Sequence, residues 1–120
     1  MTDHGRIPAW RRGMELAHTV CAAVAGGALA RTEAGQQLRK AAVSVPSLVG
    51  DALLDLSGPD SGRVLAEAAE KLAEVARLLS LPAVGESLGE VDRTGLLSQI
   101  ESLRAELVEL KGPLGPGALH

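Results

Sequence analysis

Aromatic residues are almost missing from this 120-residue chain: Trp10 is the only one, with no Phe and no Tyr. A core filled by stacked rings is therefore excluded, and so are the aromatic and β-branched runs from which sheets are built. Leu and Ala supply most of the 46% hydrophobic content, and both favour helix. Cysteine occurs once, at Cys21, so no intrachain disulfide can form, and its apolar surroundings suit a small buried hydrophobe. No uninterrupted apolar run reaches the length of a membrane span. The nearest approach is "RRGMELAHTVCAAVAGGALA" at 11–30, whose twin arginines, mildly apolar stretch and small-residue ending superficially resemble a secretion signal. Glu15 and His18 interrupt it, and Ala rather than Leu fills it, which speaks for a cytoplasmic protein without a membrane partner.

Charge of one sign is scarce overall but unevenly distributed. The net charge is −3, yet residues 1–40 carry six Lys/Arg against three Asp/Glu, whereas residues 41–120 carry six against twelve. An acidic whole argues against general nucleic-acid binding, and a basic first third leaves room for a local patch.

What the chain does contain is helical periodicity. A first segment, about 8–28, spaces Trp10, Met14, Ala17, Cys21, Val24 and Ala28 by fours and threes, which predicts one buried stripe with Trp10 in the core. Thr32 is a candidate N-cap for a second helix, with Glu33 in its first turn. That segment, about 33–56, aligns Leu38, Ala42, Val45, Val49, Ala52 and Leu56. The stripe passes through Pro46 without losing phase, so a kinked, continuous helix is expected. Val43 and Leu54 lie roughly opposite the stripe; they mark an oligomer interface or are two tolerated surface hydrophobes.

"SGPD" at 57–60 breaks the chain, with Ser57 or Asp60 able to cap a third helix. That helix, about 61–80, aligns Leu65, Ala68, Ala69, Leu72, Ala76 and Leu79, with a Glu67–Lys71 pair on its solvated face. Residues 81–91 read as the longest connection, after which Asp92 caps a fourth helix running to about Lys111. There Leu96, Ile100, Leu103, Leu107 and Leu110 form a heptad-like seam. The expectation is an all-α, antiparallel up-down four-helix bundle over residues 1–111, with a Pro-kinked second helix and a flexible C-terminal tail at 112–120.

Little in the chain supports catalysis. Glu15 and His18 form one Glu-x-x-His, but a bundle di-metal site needs two such motifs and two further glutamates, and His4 and His120 are terminal. Neither a phosphate-binding G-x-x-x-x-G-K-[ST] nor a G-x-G-x-x-G turn is present, and Cys21 and the serines lack a His arrangement. No enzyme, metal or cofactor is expected. Arg11, Arg12, Arg39 and Lys40 are the candidate phosphate contacts; a solvated basic face is the alternative.

"QLRKAAVSVPSLVGDAL" at 37–53 resembles the signature of the four-helix bundle family known from 23S rRNA intervening sequences, Q-L-R-R-A-A-x-S-I-P-x-N-I-A-E-G. Gln37, Leu38, Arg39, Lys40, Ala41, Ala42, Ser44, Val45 and Pro46 fall on it, Trp10 matches the family's early tryptophan, and Leu72 and Glu74 echo its third helix. Leu48-Val49-Gly50-Asp51-Ala52 stands where the family has Asn-Ile-Ala-Glu-Gly. The resemblance implies a non-enzymatic bundle that assembles as a homopentameric ring. It also implies association with RNA or with a nucleic-acid enzyme, as in the bundle proteins that accompany reverse transcriptases of diversity-generating retroelements. Arg11, Arg12, Arg39 and Lys40 would then contact the nucleic acid. The competing expectation is an acidic protein-binding adaptor or scaffold without a nucleic-acid role, motivated by the acidic balance of residues 41–120.

Overall fold

A computed structural model describes residues 7–54 and 58–111, and every regular element among them is helical. Five α-helices follow in order: α1 (Ile7–Ala25), α2 (Glu33–Leu54), α3 (Ser61–Leu79), α4 (Pro82–Leu88) and α5 (Glu90–Lys111), with a short 3-10 turn at Ala28–Arg31. Among the described residues no helix is long and apolar enough to cross a membrane. The four long helices each touch two others: α1 packs on α2 and α5, and α3 packs on α2 and α5. Leu56, Ser57 and the tail at 112–120 lie outside the described residues.

The expected N-cap of α2 is present. Thr32 Oγ1 accepts the Gly35 N–H at 2.9 Å and itself donates to the Leu29 carbonyl at 3.0 Å, while Glu33 occupies the first turn. Gln36 Nε2 adds a bond to the Ala30 carbonyl at 2.8 Å, so the 3-10 turn is tied to the helix it precedes. This leaves no room beside Gly35, where a methyl group would collide with the Leu29 carbonyl oxygen.

Helix α2 runs unbroken through Pro46, as the phase of its apolar stripe requires. An internal proline costs ~3 kcal/mol in an isolated helix. Here the ring is buried, and Gly13 of α1 lies directly against it: a methyl on Gly13 would sit 3.4 Å from the Pro46 Cα. One turn further along α2, Gly50 underlies the Trp10 ring, with a methyl there 3.7 Å from Nε1. Residue numbers thus rise along α1 as they fall along α2, the signature of an antiparallel pair.

The same crossing corrects the expected core of α1. Ala17 and Val24 of the expected stripe are buried, but the rest of the buried line is Ala9, Gly13, Leu16 and Val20, whereas Trp10 is 42% exposed, Met14 45%, and Cys21 only half-buried. Gly13 meets Pro46 closely, Leu16, Val20 and Val24 fill the core, and Trp10 stands on the shoulder over Gly50 of α2. In α3 the buried line includes Val75 and Leu78, with Ala69 and Ala76 half-buried, and in α5 the expected Leu96, Ile100, Leu103 and Leu107 are all buried.

Three local expectations also change. Asp60 stands at the α3 N-cap without a side-chain cap bond, and Ser61 Oγ instead donates to the Gly58 carbonyl. On the α3 surface Arg63 pairs with Glu67 at 3.5 Å and Lys71 with Glu74 at 3.8 Å, in place of the expected Glu67–Lys71 bridge. The stretch read as a long connection holds α4, with Pro82 in its first turn, Val84 and Leu88 buried, and Gly89 at φ 89° turning the chain into α5. Glu90 opens α5, so Asp92 lies within the helix and does not cap it.

Two glycine substitutions test this packing in opposite directions. Gly35→Ala forces the 3-10 turn to move and lowers stability by about 1–3 kcal/mol, the usual cost of overpacking. Gly95→Ala, on α5 with nothing within 4 Å, raises stability by up to ~1 kcal/mol through helix propensity. Urea denaturation followed by circular dichroism reads both, and equal signs would contradict the packing described.

Candidate nucleic-acid interface

The four candidate cations are all exposed, and all stand on the two helices joined by the Gly13–Pro46 crossing. Arg11 and Arg12 are in the first turns of α1; Arg39 and Lys40 are in the second turn of α2. Because the helices run antiparallel and Gly13 faces Pro46, Arg39 and Lys40 lie opposite the region near Val20. At a rise of 1.5 Å per residue the two basic pairs are separated by roughly 10 Å along the axis, beyond the reach of one phosphate but within that of two or three successive ones.

The pairs are also in different electrostatic states. Arg12 Nε donates to Glu106 Oε2 at 2.9 Å, a bridge from α1 to α5 between residues 94 positions apart. Glu106 is mostly covered, and its second oxygen, Oε1, is buried with no hydrogen-bond partner. Arg12 therefore supplies the ion pair of a partly buried carboxylate, which removes part of its charge from any external ligand. Arg11 and Arg12 line a shallow hollow of about 320 Å³ with Pro8 and Glu15, so a carboxylate stands beside the two guanidiniums. Arg39 has a weaker commitment, an exposed 3.3 Å bond to the Gln36 side chain within its own helix. On the opposite flank of α2 a hollow of about 430 Å³ is lined by Ser44, Ser47, Leu48, Glu67, Glu70 and Lys71. Its carboxylates repel phosphate, so the basic character of α2 is confined to the Arg39–Lys40 turn.

Other sequence candidates are dispersed. Glu15 and His18 are both exposed on α1, and His4 and His120 lie outside the described residues. Among the described residues no group of three or more His, Cys, Asp or Glu is placed to hold a metal ion. Val43 is 44% exposed and Leu54 85%, both on α2 away from its buried stripe. Sequence reasoning missed Glu106, because a contact between residues so far apart leaves no local spacing signal.

The bridge predicts an asymmetry between its two ends. Arg12→Ala leaves the Glu106 carboxylate half-desolvated and unpaired, and costs about 1–2 kcal/mol. Glu106→Met removes the unsatisfied oxygen together with the charge and is expected to be near neutral. Thermal unfolding of the two variants side by side checks the order; an equal or reversed loss would show that the bridge is not paired as described. No family model matches the chain, and no curated protein matches it.

Proposed function

We propose that the protein is a non-enzymatic, antiparallel up-down four-helix bundle, kinked at Pro46 in α2, that self-associates into a ring and binds RNA or a nucleic-acid enzyme. The observation that carries the reading is the placement of Arg11, Arg12, Arg39 and Lys40, all solvent-facing on the two helices that bear the family-like signature. Val43 and Leu54 serve as the subunit contacts in this reading, with five copies as the resemblance implies, in the cytoplasm. The kink is supported by Ser44 Oγ, two residues before the proline, which bonds back to the Lys40 carbonyl at 2.9 Å. Such back-bonding bends helices.

Symmetry makes weak patches useful. One subunit offers few free cations, but a ring repeats them at fixed spacing, and several modest contacts on one strand bind with avidity. A specific observation favours the second reading, an acidic protein-binding adaptor: Arg12 is already held by Glu106, and residues 41–120 carry twice as many acidic as basic side chains.

Fluorescence anisotropy with a labelled single-stranded RNA, titrated across salt concentrations, separates the readings. Four phosphate contacts per strand give a slope of log K against log salt of about −3, and Arg39→Glu with Lys40→Glu roughly halves it or abolishes binding. The fold is unaffected, since both residues are exposed. Unchanged binding in that variant removes α2 from the interface. Absence of RNA binding at physiological salt, with a specific protein co-purifying, supports the adaptor.

A further inference from the structure

Trp10 is not buried, although its helical spacing with Ala17 and Val24 predicts it. The indole lies across the seam between α1 and α2, with its Cδ1–Nε1 edge over Gly50; a methyl group there would stand 3.7 Å from both atoms. Gly50 has no side chain to rise around the ring, and 42% of Trp10 is left in water. Met14, one turn along α1, is exposed beside it. The chain's single aromatic residue is thus presented to the outside at the junction of two helices.

The charges around the ring select what can cover it. On α1 the Trp10 line continues through Met14, Ala17 and Cys21; on α2 the line that meets α1 is Arg39, Val43, Pro46 and Gly50. Arg39 is the single charged residue on these two lines, three turns or roughly 17 Å from Gly50. Arg11, next to Trp10 in the chain, is exposed, and Glu15 shares the hollow on its other side with Pro8 and Arg12. Neither Arg11 nor Arg39 is held as Arg12 is: among the described residues no salt bridge reaches either, and Arg39 has only its exposed bond to Gln36. The carboxylates of Glu67 and Glu70 lie across α2, on its α3 side. An exposed indole with free cations at both ends and no carboxylate on its seam fits a polyanion that also carries flat rings. A single strand of nucleic acid offers both, whereas a duplex keeps its bases stacked within.

We propose that Trp10 is a stacking platform for one unpaired base of a single-stranded RNA whose flanking phosphates are met by Arg11 and Arg39. The inference rests on the nucleic-acid reading above and narrows its ligand to strands with free bases. Every base has a π-face, so stacking of this kind distinguishes single strands from duplexes and is tolerant of sequence. The site uses neither Val43 nor Leu54, so it is tested apart from self-association.

Because Trp10 is the only aromatic residue, its emission reports on the site without background. The full chain is titrated with a mixed-sequence single-stranded RNA, with the duplex of the same sequence, and with inorganic polyphosphate, which has the charge but no bases. The expected result is quenching of Trp10 by the single strand, none by polyphosphate, and weaker binding of the duplex. In anisotropy titrations Trp10→Leu, which keeps an apolar side chain over Gly50, weakens single-strand binding roughly 5- to 150-fold, the loss of one stacked base. Its salt slope stays that of the natural chain, because no phosphate contact is removed. Trp10→Phe retains most of the affinity, and circular dichroism verifies the helices of both variants. A single strand bound as tightly by Trp10→Leu as by the natural chain overturns the stacking and leaves RNA binding standing. Equal quenching by polyphosphate, or a duplex bound equally well, does the same. Trp10 shielded from iodide before RNA is added also overturns it, since another surface then covers the ring. A natural chain that binds no RNA overturns the nucleic-acid reading, and this inference with it.

Discussion

The close approach of Gly13 to Pro46 is the contact on which the rest of the arrangement depends. A proline in the middle of a helix forfeits one hydrogen bond and exposes a carbonyl, so it persists only where tertiary packing compensates. Here the compensation comes from burial of the ring against a residue with no side chain, which brings the backbones of α1 and α2 together. On the core side of that contact α1 buries Ala9, Leu16, Ala17, Val20 and Val24, and Trp10 and Met14 stand exposed on its α2 shoulder.

Much of the fold was legible because periodicity survives averaging over many residues. The α2 stripe retained phase across Pro46, and the α5 seam of leucines pointed inward as its spacing requires. Helix α1 shows the limit. Two interleaved lines, Ala9–Gly13–Leu16–Val20–Val24 and Trp10–Met14–Ala17–Cys21, have the same period, and Ala17 of the second is buried along with the first. Period alone does not choose between them; the side that Gly13 turns to Pro46 does. Helix α4 escaped notice for a different reason, since seven residues are too few to display a period, although Pro82 at its start and Gly89 at its end are boundary signals.

The candidate interface was legible as a set of exposed residues and illegible as a set of available charges. Spacing alone places Arg12 on the surface of α1, where the structure finds it. Nothing local indicates that Glu106, in the last turns of α5, is covered by the bundle and draws Arg12 into a bridge. A charge satisfying a buried partner is worth less to a ligand than an identical charge facing water, because binding the ligand must first weaken the existing pair. Of the four cations, Arg39 and Lys40 are therefore better suited than Arg12 to meet a phosphate.

Helix α2 thus presents three chemically different sides. Leu38, Ala42, Val45 and Val49 fill the core, Val43 and Leu54 stand on the apolar shoulder, and the Arg39–Lys40 turn faces solvent beyond the shoulder's end. A helix of 22 residues makes six turns, enough to separate a basic turn from an apolar strip without either intruding on the other. If Val43 and Leu54 are covered by a neighbouring subunit, as in the proposed ring, each added copy presents another Arg39–Lys40 turn. Affinity for a polyanion then grows with the number of copies although no single subunit acquires a deep basic groove. An acidic chain can in this way concentrate positive charge locally, because symmetry multiplies the turn that remains in water while the apolar surface beside it is removed.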